Sequence, residues 1–336
     1  MNKKKILVLG ATGAMGTYLV PELMKCGYRV DAVSYDAVES DNPDLKYIQA
    51  DAKNNEFIAE LLKNNYDAIF DFLNFYDLND EELKDKLYQM LDATEQYFYL
   101  SSYRVYDGKD VPITEEARLL LNSSTDEKFL ATHDYALYKA VGENILKESG
   151  RKNWTAVRPA ITFSKMRYQL VTLEAPVLIE RMKAGKTVLL PKEAMNKQAT
   201  MSWAGDVAKL FVKLLFNEKA YGEIYTISTS AHHTWGEIAE MYAEIGGLKY
   251  KAIDKEDYIQ IFGGTDVARY QLEYDRLFDR VIDNSKILEA TGMKQSEFMT
   301  LKDALKMELS QLPEDAFTVQ GDISQNMDKY LKEKGE

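Results

Sequence analysis

A chain of 336 residues with 42 basic against 54 acidic side chains carries a net charge of −12, which excludes a general binder of nucleic acid or of anionic membrane surfaces. Its length allows one large or two modest domains. A single cysteine, Cys26, rules out an intramolecular disulfide and a zinc–cysteine cluster, which fits a reducing, cytoplasmic setting.

The lysine-rich opening, residues 1–5, precedes an apolar run too short for a signal peptide. No stretch reaches the ~18 apolar residues of a membrane span. Residues 6–9 form a branched apolar run that predicts a buried parallel strand, stopping at Gly10. A helical pattern runs from Ala14 through Met24, with Cys26 beyond it among apolar neighbours, where it reads as core filler.

A tight turn between this strand and helix leaves the first helical N–H groups pointing outward, an anion site suited to a pyrophosphate. In the run Gly10-Ala11-Thr12-Gly13-Ala14-Met15-Gly16, Gly10 permits the turn and Gly13 lets a ligand approach the backbone. Gly16 lets helix and strand pack closely. The spacing is GxxGxxG, and a second strand at 28–33 completes a βαβ unit of dinucleotide-binding size. No Gly-Lys-Ser/Thr follows, which sets a mononucleotide P-loop aside.

At the tip of the second strand, Ser34 occupies the place where an acid would hold a ribose, with Asp36 two residues on. No arginine stands nearby for a 2′-phosphate, so the cofactor leans to NAD while NADP stays open. Strands are predicted at 46–49, 67–73 and 97–100, with helices at 55–63 and 79–94 between them. This alternation predicts a doubly wound parallel α/β sheet. Its carboxyl end would bring together the glycine turn, Asn74 and Ser101-Ser102.

Residues 107–132 are polar and irregular, either a lid or a surface loop. A strong helix at 134–149 is closed by Gly150, and a sixth strand at 154–157 ends at Arg158-Pro159. From there the pattern changes. A proline-bounded helix at 176–184 lies in a Met- and Lys-rich segment, and the pattern at 205–230 returns to the first sheet with a helix (205–216) and a strand (223–228). Residues 234–245 are helical, the remainder is helical and acidic, and 329–336 reads as a frayed tail. The domain reading is therefore a dinucleotide-binding unit at 1–160, rejoined at 205–230. A smaller, mostly helical substrate-binding region spans 161–204 and 231–336.

Tyr135 and Lys139 are separated by one helical turn and share a face. A free phenol has a pKa near ~10, and an adjacent ammonium lowers it. A phenol primed in this way can exchange a proton with a carbinol or carbonyl oxygen that Ser102 also holds, as hydride transfer to a nicotinamide requires. The same spacing also suits an ordinary solvated helix face. Tyr138 competes for core or surface roles, His133 reads as a surface residue, and His232-His233 lacks a third metal ligand.

Taken together, these segments resemble the extended short-chain dehydrogenase/reductases, specifically the NAD-dependent epimerase/dehydratase family. The glycine turn resembles its GATGxxG loop, and Asp51-Ala52 its acidic residue at the adenine edge. Ser101-Ser102-Tyr103-Arg104-Val105-Tyr106 resembles the strand end bearing the active-site Ser/Thr, and Tyr135 through Lys139 the YxxxK pair. Arg158-Pro159, Asp206-Val207-Ala208, residues 221–227 and Asp283-Asn284-Ser285-Lys286 follow in the family's order.

The resemblance implies a Rossmann-type fold, and a cofactor site comprising Gly10, Thr12, Gly13, Ala14, Met15, Gly16, Ser34, Asp51, Ala52, Asn74, Lys139, Arg158 and Pro159. It implies Tyr135 as acid/base, Lys139 as its electrostatic partner and ribose ligand, and Ser102 as the holder of the substrate oxygen. It also implies a nucleotide-sugar substrate and a possible homodimer. The alternatives are a reductase of a non-nucleotide carbonyl compound and a non-catalytic cofactor- or RNA-binding relative. Departures from the family pattern are Ser34 for the ribose acid, Asn74 after the fourth strand, and Phe163-Ser164 after Arg-Pro.

Overall fold

Seven parallel strands form the frame. The structure, a computed structural model, describes residues 3–335, so Met1 and Asn2 of the lysine-rich opening and Glu336 of the tail lie outside the described residues. The first half alternates β1 (Lys5–Leu9), α1 (Gly16–Lys25), β2 (Arg29–Ser34), β3 (Leu45–Gln49), α2 (Asn55–Leu62), β4 (Tyr66–Asp71), α3 (Asp80–Asp92) and β5 (Thr94–Leu100). Two one-turn helices follow, α4 (Leu120–Ser123) and α5 (Glu127–Leu130), then α6 (Tyr135–Glu148) and β6 (Trp154–Val157).

The sheet order is Glu223–Tyr225, β6, β5, β4, β1, β2, β3, the doubly wound arrangement with β4 at its middle and β1 beside it. Ile6 pairs with Val30 on one side and Ala68 on the other. Each of Ile6, Leu7, Val8 and Leu9 is fully buried, because both faces of β1 are covered. Ile6 and Val8 join the apolar layer under α1 and the helix Ala204–Leu214, while Leu7 and Leu9 join the layer under α2, α3 and α6.

Several elements start or stop away from their predicted places. Thr94 opens β5 rather than closing α3, since its hydroxyl and backbone serve pairing with β4. The irregular stretch at 107–132 contains α4 and α5, each only four residues long and below the reach of helical periodicity. Cys26 is exposed at the end of α1 and is not core filler, because the helix has by then turned its apolar face away. The C-terminal segment is no frayed tail. The helix Asp322–Glu333 buries Met327 and Ser324, and the buried Arg181 reaches the Ser324 carbonyl at 2.7 Å and Asp328 at 2.8 Å.

The second half forms its own apolar cluster around Tyr168, Leu178, Leu190, Trp235 and Tyr242. It contains short strands that no local pattern announces. These include β7 (Ile161–Phe163), which pairs with Met201–Trp203, and Thr187–Pro191, which pairs with Lys249–Ile253. Among the described residues no helix is long and apolar enough to cross a membrane.

What positions α6 is close contact with the sheet. A Cβ on Gly142 would lie 2.1 Å from the Tyr99 hydroxyl, so only glycine lets the helix settle on β5. One residue on, Glu143 takes a bidentate ion pair from Arg158 at 2.8 and 2.5 Å and a hydrogen bond from the Ser101 hydroxyl. This fastens α6 to the ends of β5 and β6. Gly142→Ala is therefore expected to lift α6 from the sheet and cost about 1–3 kcal/mol, as overpacking typically does. Urea unfolding checks it, and an unchanged midpoint would contradict the packing account.

Candidate active site

At the carboxyl ends of β1, β4, β5 and β6 lies a cleft of about 430 Å³. Its floor on one side is the glycine turn. Gly10 has φ +80°, and the amides of Gly10 and Ala11 both donate to the Val33 carbonyl at 3.0 Å, which pins the turn to β2. Among the described residues the amides of Ala14 and Met15 have no hydrogen-bond acceptor, and both residues line the cleft. A Cβ at Gly13 would meet only the Gly10 carbonyl, at 3.2 Å, so open space lies above it. A Cβ at Gly16 would meet the Ala11 carbonyl at 2.5 Å, so Gly16 serves the packing of helix against turn.

Asn74 adds a buried side-chain oxygen with no hydrogen-bond partner, on the same cleft wall. Free amides, clearance above Gly13 and an orphaned acceptor are the features a dinucleotide would satisfy. Farther out, Thr12 accepts a hydrogen bond from the Thr17 hydroxyl at 3.0 Å, and Ser34 is buried with its hydroxyl donating to the Asp36 carbonyl. Asp51 is exposed and takes a 2.7 Å hydrogen bond from the Tyr35 hydroxyl, with Ala52 buried beside it. Thr12, Ser34, Asp51 and Ala52 do not line this cleft, whereas Gly10, Gly13, Ala14, Met15, Asn74 and Pro159 do.

Arg158 is not available to a ligand of the cleft. Its guanidinium is buried, bound to Glu143 and donating to the Glu115 carbonyl at 3.1 Å. In the Arg-Pro pair the arginine locks α6 in place, and the proline lines the cleft.

Ser102 and Tyr135 face each other across the cleft wall. The Ser102 oxygen accepts from the Arg104 amide at 3.2 Å, which caps the short turn Tyr103–Val105 and leaves the hydroxyl proton free to donate. Tyr135 is the first residue of α6, directly after the cap Asp134, whose carboxylate accepts from the Ala136 amide at 2.8 Å. Lys139 lies one turn deeper and is fully buried. Its ammonium sits 5.3–5.5 Å from the ring centres of Tyr99, Tyr135 and Tyr138 and reaches the Leu73 carbonyl at 3.4 Å.

The electrostatics differ from the simple expectation of a phenol made acidic by Lys139. Burial pushes the Tyr135 phenol up, and the groups that pull it back are Arg167, Arg104 and the Ser102 hydroxyl. Burial pushes Lys139 down to about 7, opposed by the Asp71 carboxylate. Sequence spacing correctly puts the amine near the ring, but spacing carries no information about desolvation. Asp71 is itself raised by burial and accepts from the Tyr97 hydroxyl at 2.9 Å.

The opposite wall was not anticipated. Tyr76, pushed up to about 12 chiefly by burial, places its ring 5.8 Å from those of Tyr135 and Tyr138. Arg104, Arg167, Gln169 and Arg276 complete that side. Only Arg104 carried a sequence signal, a large cation inside the Ser-Ser-x-x-Val-Tyr element. His133 is exposed, and the His232 ring contacts the Ser230 carbonyl outside the cleft.

Comparison with known proteins follows the same lines. A model of the NAD dependent epimerase/dehydratase family matches residues 6–228. Chloroplast stem-loop binding protein of 41 kDa b from Arabidopsis thaliana is 28% identical over 338 aligned positions, spanning 89% of this chain and 83% of that protein. Epimerase Mth375 of Methanothermobacter thermautotrophicus superposes with a TM-score of 0.69 at 13% identity, over 98% of this chain and 95% of the other. UDP-glucuronic acid 4-epimerase from Bacillus cereus, solved with UDP-glucuronic acid and NAD, gives 0.66 at 17% identity, over 91% and 98%.

The depressed Lys139 has a thermodynamic consequence. Between about 7 and its ordinary value of 10.5, the unfolded chain holds a proton that the ligand-free folded chain lacks, so this group makes stability rise with pH across that window. Below about 7 the folded protein carries the full penalty of a buried charge. Lys139→Met is expected to stabilise the ligand-free protein by a few kcal/mol at pH 6 and by less at pH 9. Urea titrations at the two pH values measure this, and equal effects would contradict it.

Proposed function

Because the chain belongs to the NAD-dependent epimerase/dehydratase family, we propose that it is an NAD-dependent enzyme that oxidises and re-reduces a carbinol carbon of a nucleotide sugar. The observation that supports this most strongly is the joint placement of Ser102 and Tyr135 on the cleft that the glycine turn also lines. When bound, NAD supplies the hydride acceptor. The chain's own residues hold it and manage the proton.

Ala14 and Met15 offer amides to the pyrophosphate above Gly13, at the positive end of α1. Asn74 lines the cleft and would face a nicotinamide ribose, while Lys139 is buried behind the lining, 5.5 Å from the Tyr135 ring centre. Ser102 donates its free proton to the substrate oxygen, and Tyr135 takes the proton from that oxygen as the C–H hydride leaves and returns it when the hydride comes back. Polar partners for the buried Lys139 side chain, such as ribose hydroxyls, would raise its pKa from about 7 and restore the cation beside the phenol.

The Arabidopsis relative's name brings a second reading, recognition of an RNA stem-loop. The net charge of −12 opposes it, since affinity for nucleic acid is carried mainly by phosphate neutralisation. A non-nucleotide carbonyl substrate is the remaining alternative within the same chemistry.

Mass spectrometry of nucleotide released on denaturation, followed by turnover assays with UDP- and dTDP-sugars, tests the proposal. Tyr135→Phe is expected to lower turnover about 10²–10⁴-fold while NAD affinity stays within about threefold. Gly13→Val is expected to abolish NAD binding, because its side chain would fill the space above the turn. Wild-type turnover in the first variant or tight NAD binding in the second would sink the assignment. RNA binding that falls with salt and survives both substitutions would favour the second reading.

A further inference from the structure

The cleft lining is rich in cations for so acidic a protein. Arg104, Arg167 and Arg276 line it and Arg280 joins their ionic cluster outside the lining, against the carboxylates of Asp134, Glu174 and Asp275. Three of the four are engaged. Arg280 reaches the fully buried Asp275 at 3.2 Å and the Tyr106 carbonyl at 3.1 Å. Arg276 pairs with Asp275 and donates to the Val171 carbonyl at 2.7 Å, with Glu174 acting on it from the cleft side. Arg104 lies 3.4 Å from Asp275 and 3.5 Å from Asp134. Burial raises Asp275, yet these three cations hold its carboxyl below the usual range, so it is an anion throughout the neutral region.

Arg167 is different. It is exposed at the end of a tight hairpin, where its backbone exchanges hydrogen bonds with Ser164 at 2.9 and 3.0 Å and Met166 turns with φ +68°. Its guanidinium has no ion-pair or hydrogen-bond partner among the described residues. It nevertheless lines the cleft, and among the charges acting on the Tyr135 phenol its own is the largest. The Arg104 guanidinium lies over the same ring, 5.4 Å from its centre. A ligand atom that reacts at Tyr135 therefore shares the cleft with an unsatisfied cation.

Resting on the hydride-transfer reading above, we infer that the substrate carries an anionic group on the very unit that reacts, a carboxylate or phosphate seated by Arg167 and Arg104 next to Tyr135. A sugar acid fits this better than a neutral hexose.

The test uses the NAD-loaded protein and three probes: UDP-glucuronic acid, UDP-glucose and UDP. Calorimetry is expected to show the acid binding at least about tenfold tighter than UDP-glucose, as a charge-assisted contact would give. Arg167→Ala should erase that difference, leave UDP-glucose, UDP and NAD affinities within about twofold, and be partly rescued by Arg167→Lys. Equal affinities for the two sugars would overturn the inference and leave the nucleotide-sugar reading standing. So would an Arg167→Ala loss shared by UDP, which would assign the arginine to the substrate's diphosphate. If neither nucleotide sugar binds while NAD does, the nucleotide-sugar reading falls instead. The inference is then decided by reduction of bound NAD with free sugar acids and sugar phosphates against neutral aldoses, where no preference overturns it.

Discussion

The burial of one lysine governs the chemistry of the cleft. Lys139 is enclosed by three tyrosine rings and a single backbone carbonyl, and no carboxylate comes within ion-pair distance of it among the described residues. A charge so placed is poorly compensated, and the folded chain responds by lowering the amine's proton affinity. The same low-polarity surroundings raise the Tyr135 phenol. Amine and phenol are thus both pushed toward neutrality by one cause. Any ligand that brings hydroxyl groups or positive charge to this spot changes both groups at once, which couples occupancy of the cleft to its acid–base state.

That pair is held in place by polar contacts at the sheet's edge. Glu143 and Arg158 form a buried ion pair, the kind whose worth lies less in net stability than in fixing where its partners sit. Here it fixes α6 against β5 and β6, with Gly142 allowing the close approach. Tyr135, Lys139, Gly142 and Glu143 lie on one helix, so the Tyr135–Lys139 pair and its anchors move together.

Much of this was legible in the sequence because it is local. The first strand, glycine turn and helix show as an apolar run, three glycines and a 3.6-residue pattern within thirty positions, and the structure places them as expected. The six strands of the first half and α6 were found for the same reason. The short strands Ile161–Phe163 and Met201–Trp203 were missed, since each is three residues long and exists only because the other lies beside it. Only the end of the helix near the C-terminus, from residue 329, reads as a frayed tail in the sequence, because the helix's anchor, Arg181, is some 140 positions away. In the cleft, spacing predicted that Tyr135 and Lys139 share a face. It could not reveal that Arg158 is consumed by Glu143, or that Arg167 stands opposite the phenol, because both depend on how distant segments fold onto one another.

Arg104 joins the two halves of the molecule. It belongs to the turn after β5, so its backbone is set by the sheet and its amide donates to the capping Ser102 hydroxyl. Its side chain spans from Asp134, which caps α6, to Asp275 in the π-helical turn Leu272–Arg276 of the second half. π-helical turns are costly in isolation and persist where a site needs a side chain aimed off the regular helical path. Here the turn pairs Asp275 directly with Arg276, whose guanidinium also donates to the Tyr103 hydroxyl. Of the three arginines on the buried Asp275, Arg276 and Arg280 belong to the second half with it, so the contact that ties this half to the sheet is the one from Arg104 at 3.4 Å. Arg104 therefore couples the second half to the phenol, since one side chain contacts Asp275, Asp134 at the start of α6 and the Tyr135 ring.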